Sequence, residues 1–269
     1  MARRMTTGLG RELVFQIGAL LGAIIVVHAI YTGLIRPRAA EVLEQQRIQL
    51  IEQPEATVER SLWVILKDPE QEICLILLIW GMAMIIDKAR VVVRERGQLG
   101  RDLIPVAPGE SILPEDARDH ARAIETLEPA ERNGLYARVL HSALHRFRAT
   151  RNLQDVSEAI DSICRAEHER MDSELAMVRY MAWAIPSIGF IGTVRGIGAA
   201  LSMAHQAVEG DITGVTAALG TAFNSTLIAL LLSIVLMFAL YQVQQFQERL
   251  VLDTQAAADR NLLQSLNTG

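Results

Sequence analysis

The side chains with chemical capacity in this sequence sit inside two long apolar runs. The first, WAIPSIGFIGTVRGIGAALSM at 183–203, carries Pro186, Thr193, Arg195 and the glycines Gly189, Gly192, Gly196 and Gly198. The second, TAFNSTLIALLL at 221–232, carries Thr221, Asn224, Ser225 and Thr226. A helix that only sits in lipid needs none of these residues. With no water to satisfy them, hydroxyl and amide groups in such a helix either bond across to a neighbouring helix or line a polar path. Gly192 and Gly196 form a small-xxx-small pair, which lets helix backbones approach closely.

Helical rise places these groups by depth. If the first run enters the bilayer from the cytoplasm near Tyr180, Thr193 lies ~20 Å in. If the second enters from the outer face near Ala217, Thr226 lies ~14 Å below it. In a ~30 Å hydrocarbon core the two threonines come within one turn of the same height, and they form a polar collar if both face one lumen. The competing reading is that each hydroxyl bonds the carbonyl four residues earlier on its own helix. Thr221 and Ser225 share a face, whereas Asn224 and Thr226 are about 200° apart, so they do not all line one path. Arg195 is also about 200° from Thr193 and ~8 Å from the outer face, with Glu209 and Asp211 as its expected partners. A structural ion pair and a role in gating or partner contact both fit it.

Other chemistries find no support. Gly196-Ile197-Gly198 lacks the third glycine of a dinucleotide loop and any following Gly-Lys-Ser/Thr. His141 and His145 share a helix face but have no third ligand in view, so no metal site is expected. His28 reads as an interhelical hydrogen-bonding group. No nucleophile or metallohydrolase motif occurs, so neither enzyme activity nor a cofactor is expected. Cys74 and Cys164 make no disulfide framework. The net charge of −5, with no basic stripe, argues against nucleic acid.

The elements that must hold the two runs follow from hydropathy. Arg3, Arg4 and Arg11 lead from a cytoplasmic N-terminus (1–12) into an apolar block at 13–35 that has no A-x-A cleavage site before Arg36-Pro37. Residues 36–72 form an external segment punctuated by Pro37, Pro54 and Pro69, with an amphipathic stretch at 39–53. A second crossing is expected at 73–93, and the cluster Lys88, Arg90, Arg94, Arg96 and Arg101 marks its cytoplasmic end. Residues 94–178 then make a helical cytoplasmic domain with a loop at 97–114 (Pro105, Pro108, Gly109, Pro114) and a break at Glu128-Pro129. Asn152 caps a helix that runs from Leu153 without a breaker into the third crossing at 179–203. An acidic external loop at 204–216, a fourth crossing at 217–241 and a polar C-terminal helix at 242–269 complete the chain. The expected fold is therefore an all-α membrane protein with four transmembrane helices, long helices extending into a helical cytoplasmic domain, and both termini in the cytoplasm.

The stretch Pro186-Ser187-Ile188-Gly189-Phe190-Ile191-Gly192-Thr193-Val194 with Gly196, and Ala222-Phe223-Asn224-Ser225-Thr226-Leu227-Ile228, resembles the MotA/TolQ/ExbB proton-channel family over about 153–250. The resemblance implies a homopentamer in the bacterial inner membrane around two copies of a single-crossing MotB/TolR/ExbD-like partner. That partner's membrane helix carries the ion-binding aspartate, and protons, with sodium as the alternative ion, drive a stator-like motor or energy transducer. Thr193 and Thr226 match the threonines of the ion path, with Thr221 and Asn224 beside them, and Pro186 matches the proline at the base of the pore helix; in the implied pentamer the glycine seam is expected to pack between subunits. The chain departs from TolQ and ExbB in its four crossings and in Thr221 where they carry glutamate. Its layout is MotA- or ZorA-like, while Gly192-Thr193-Val194 has the TolQ/ExbB spelling. The alternative class is a non-conducting membrane scaffold whose cytoplasmic helices recruit partners.

Overall fold

The computed structural model describes residues 2–52, 61–101, 103–104 and 111–267, and every regular element among them is helical. Pro54, Pro105, Pro108 and Gly109 lie outside the described residues. The chain divides into two compact units, 1–85 with 177–240, and 86–176 with 241–269.

The first unit begins with α1 (Ala2–Ile30), which passes through a π-helical turn (Tyr31–Ile35) into α2 (Arg36–Glu52). The expected stop at Arg36-Pro37 does not occur. Pro37 has no N–H and its ring crowds the carbonyl of Gly33, and the wider turn absorbs this because the Arg36 N–H reaches back five residues to Tyr31 O. After the short α3 (Leu62–Leu66), α4 (Pro69–Arg96) starts in this unit; α9 (Ala176–Ser202) and the short α10 (Ala204–Val208) follow in it, and α11 (Thr213–Asn261) starts there too. Val27, Tyr31 and Ile35 pack with Trp63, Leu66, Leu75 and Ile76. The Trp80 indole donates to Gln16 O at 3.1 Å, tying α4 to α1. Large apolar side chains such as Val14, Ile25, Trp183, Phe190, Ile234 and Phe238 remain exposed, a surface that water does not tolerate at this density.

Among the described residues, three helices are long and apolar enough to cross a membrane: Glu12–Gln49, Leu153–Ser202 and Thr213–Ser265. Helix α4 is not among them. Its uninterrupted apolar run between Glu72 and Asp87 holds fourteen residues, or ~21 Å of helix against a ~30 Å core.

The second unit has an ordinary buried core. Helices α5 (Ala117–Glu125), α6 (Pro129–Arg132), α7 (Leu135–Thr150) and α8 (Leu153–Glu174) bury Ile124, Leu140, Leu144, Phe147 and Ile160 together with Leu250 and Leu262 of the C-terminal segment. The break at Glu128-Pro129 falls where α6 begins. Asn152 caps α8 by accepting the Gln154 N–H at 2.9 Å, and Arg151 before it takes the left-handed conformation that ends α7. The apolar stripe of α8 is buried at Ile160, Cys164 and Met171, and burial pushes the Cys164 thiol up to about 11. Leu175 marks a one-residue break between α8 and α9 within the helix that runs from Leu153 to Ser202, as the sequence leads one to expect. On the C-terminal helix Leu250 and Leu262 enter the core, while Phe246 and Leu252 stay exposed. Ion pairs add definition: Arg138 meets the buried Glu167 at 2.6 Å, and Lys88 meets Glu174 at 2.8 Å. His141 pairs with Glu125 at 3.1 Å at the surface.

Candidate functional site

The site is built where α9 and α11 lie against each other in the first unit, and glycine allows the approach. A methyl group added at Gly189 would lie 2.3 Å from the Ala229 Cβ, one at Gly192 2.5 Å from the Ser225 Cβ, and one at Gly196 2.8 Å from the Ala222 backbone nitrogen. Gly189, Gly192 and Gly196 thus meet Ala222, Ser225 and Ala229, a matching row of small residues on one face of α11. The seam closes this helix pair within one chain, which corrects the expectation that it packs between subunits.

This contact brings two threonines together. The Thr193 and Thr226 hydroxyls are hydrogen-bonded to each other. Thr226 Oγ1 also lies 3.1 Å from Gly189 O, and Thr193 Oγ1 lies 3.2 Å from Ala222 O. Gly189 and Ala222 are the residues four places before Thr193 and Thr226. Each hydroxyl therefore reaches the carbonyl that its opposite number would use for a bond along its own helix. Thr193 retains that own-helix option as well, at 3.4 Å to Gly189 O. A hydroxyl has one proton to donate and two lone pairs to accept with, so the pair can exchange donor and acceptor roles with little motion. Ser225, buried beside them, donates to Thr221 O at 3.0 Å. Thr221 and Asn224 are half-buried on the same helix, and among the described residues no hydrogen bond joins their side chains to the pair.

Pro186 lies inside α9. It cannot donate to Ala182 O, and an orphaned carbonyl in an apolar helix is costly. The Ser233 hydroxyl supplies the missing donor at 2.9 Å. One turn further on, the Cys74 thiol approaches Ile185 O at 3.6 Å. Ser233 is a residue that sequence reasoning passes over, although the carbonyl freed by an intrahelical proline is a signal that some donor must lie opposite.

Arg195 is paired, but not as expected. Its guanidinium makes a two-bond contact with Glu70 at the start of α4, 2.6 Å to Oε1 and 2.8 Å to Oε2, and lies 4.0 Å from Asp68. Neither Glu209 nor Asp211 takes part. Asp211 instead caps α11, accepting the Thr213 N–H at 3.0 Å, and that bond holds its exposed carboxyl below the usual carboxylate range. Glu70 is buried while Arg195 is half-exposed. Replacing Arg195 by Met strands a buried carboxylate and is expected to cost roughly 1–3 kcal/mol, between the limits for exposed and buried pairs. The double variant R195M/E70Q should recover most of that loss in thermal melts in detergent. A double variant as unstable as R195M alone would show that the charge pair is not the cause.

Glu72, on the same first turn of α4, accepts from Arg36 at 2.6 Å and bonds the His28 Nδ1 at 2.7 Å. His28 is thus an interhelical hydrogen-bonding group. No set of three His, Cys, Asp or Glu side chains among the described residues is placed to hold a metal ion.

Against known proteins, residues 131–256 match the profile of the MotA/TolQ/ExbB proton channel family. This region contains α7, α8, α9 and most of α11, and with them both threonines and the glycine seam. Neither the curated proteins nor the solved structures give a match.

Proposed function

We propose, from the match of residues 131–256 to the MotA/TolQ/ExbB proton channel family, that this chain is the channel-forming subunit of an ion-driven energy transducer. Five copies surround two copies of a single-crossing MotB/TolR/ExbD-like protein in the bacterial inner membrane. Four segments cross the bilayer, at 13–35, 73–93, 179–203 and 217–241, with both termini in the cytoplasm; the short apolar run of the second is extended to a full crossing by Asp87, Lys88 and Arg90 snorkelling at the interface. Protons, with sodium as the alternative ion, pass the level of Thr193 and Thr226.

The observation that carries this reading is the reciprocal threonine pair. It presents two exchangeable hydroxyls and two carbonyls at one height of an otherwise apolar helix pair, the groups that can take over the hydration of a passing ion. The exposed apolar surface of the first unit supports burial against lipid and further copies. Helix α9 holds no Asp or Glu, and α11 none before Glu248. The titrating carboxylate beside the threonines is therefore supplied by the partner.

The test is proton flux into vesicles holding this chain alone and with its partner. Flux is expected only with both present, and only while the partner keeps its membrane aspartate. Full flux through the chain alone would sink the proposal.

A further inference from the structure

At the N-terminal end of α4, four polar residues follow one another with only Pro69 between: Asp68, Glu70, Gln71 and Glu72. Two of the carboxylates are fully committed, Glu70 to Arg195 and Glu72 to Arg36 and His28. The others are not. Gln71 is wholly buried, and neither its amide nitrogen nor its amide oxygen has a partner at full hydrogen-bond geometry. Tyr31, equally buried on the π-helical turn, has an unpartnered hydroxyl. The Asp68 Oδ2 is enclosed too, and the Gln71 amide lies close enough to favour its charged form without completing a full hydrogen bond. These groups belong together: Asp68 and Gln71 are three residues apart at the head of one helix, and Tyr31 lies within electrostatic reach of Asp68, Glu72 and Arg36.

Buried polar groups almost always have a partner, either protein or ordered water. One orphan is a local exception, but four atoms on three neighbouring side chains mark a polar space. A resident divalent ion does not suit it, because the nearby carboxylates are spent on arginines and no three ligands converge among the described residues. Water suits it, since a tyrosine hydroxyl, an amide and a carboxylate together offer both donors and acceptors.

We infer that Asp68, Gln71 and Tyr31 line a hydrated pocket in which Asp68 exchanges protons with water, a proton station belonging to this chain and not to its partner. The step is transfer of a proton from hydronium to the Asp68 carboxylate, giving the neutral acid and water, and its reverse. The groups facing Asp68 are Lys67, Glu70 and Gln71 on its own segment, Arg195 from α9 and Tyr31 from the π-helical turn. Burial raises its carboxyl above the usual range, and Lys67, Arg195 and the nearby Gln71 amide oppose that rise. A methyl group added at Gly192, next to Thr193, would lie 3.2 Å from the Glu70 Cγ, so the head of α4 lies against the helix pair of the path proposed above, and the station's use in transport rests on that reading.

Two measurements on the purified full-length chain, without a partner, test the pocket whether or not the complex conducts. In an infrared pH titration, the protonated-carboxyl band above about pH 4, the ordinary aspartate value, should lose one component in Asp68→Asn, while half-buried Glu95 keeps its own. A spectrum unchanged by that substitution overturns the inference. In thermal melts, Gln71→Leu should lower the transition, because it removes an amide bonded to water. A transition that is unchanged or raised would mean the pocket is dry, since an unbonded amide gains from an apolar replacement of similar shape, and would equally overturn it. In the conducting complex, Asp68→Asn should change the pH profile of flux. Conduction with an unaltered profile would remove Asp68 from transport while leaving the channel reading intact.

Discussion

Gly196→Ala is expected to destabilise the chain by roughly 1–3 kcal/mol, the usual cost of forcing a methyl group into a packed contact. The neighbouring Gly198→Ala should be neutral or slightly stabilising. Both substitutions raise intrinsic helix propensity by the same amount, up to ~1 kcal/mol, so the difference between them isolates packing. At Gly196 the new methyl would meet Ala222 Cβ at 2.7 Å and Ala222 Cα and N at 2.8 Å. Backbone atoms cannot rotate away as a long side chain can, so α9 and α11 must separate. At Gly198 nothing lies within 4 Å. Melts of the detergent-solubilised chain should show Gly196→Ala lowered by roughly 2–12 °C, taking about 2–4 °C per kcal/mol for a chain of this size. Equal transitions for the two variants would refute the tight seam. Because Thr193 and Thr226 meet only while the seam is closed, Gly196→Ala should also reduce coupled activity beyond what its loss of stability predicts.

The second large effect is on function alone. Thr226→Val keeps the side chain's shape and removes its hydroxyl. Thr193 then loses its partner, and the 3.1 Å contact between Thr226 and Gly189 O disappears. Thr193 can still donate to Ala222 O or Gly189 O, so no buried donor is stranded, and the stability cost should stay near 1 kcal/mol, the net worth of one hydrogen bond. Ion flux through the assembled complex, by contrast, should fall by at least about tenfold, the change that ~1.4 kcal/mol on a barrier produces. The check is flux at matched protein levels, alongside assembly measured by size and stoichiometry. Wild-type flux in an intact Thr226→Val complex would take the hydroxyl out of the path. Thr226→Ser, which retains the hydroxyl, should keep most of the activity.

Much of this arrangement is legible in the amino-acid sequence, for physical reasons that can be named. The shared height of Thr193 and Thr226 follows from helical rise and bilayer thickness, quantities that do not depend on tertiary detail. Asn152 as a cap and Glu128-Pro129 as a break are decided by backbone chemistry within a few residues. The small residues at Gly189, Gly192 and Gly196 announce close packing because their spacing puts them on one helix face.

Partners are a different matter. The glycine seam is symmetric in its demand for any close helix, and only the fold shows that Ala222, Ser225 and Ala229 of the same chain answer it. Arg195 needs an acid, and local sequence offers Glu209 and Asp211. The pair actually formed is with Glu70, 125 residues away, because a bidentate contact depends on where the end of α4 comes to rest. The passage of the first helix through Arg36-Pro37 is likewise hidden, since a π-turn that rescues a proline depends on packing around Tyr31 as well as on the proline. The sequence by itself thus determined which segments are apolar and which residues interrupt them, since composition and helical geometry act locally. The tertiary structure decided which polar group satisfies which, because hydrogen bonds and ion pairs are set by distances of a few ångströms between residues far apart in the chain.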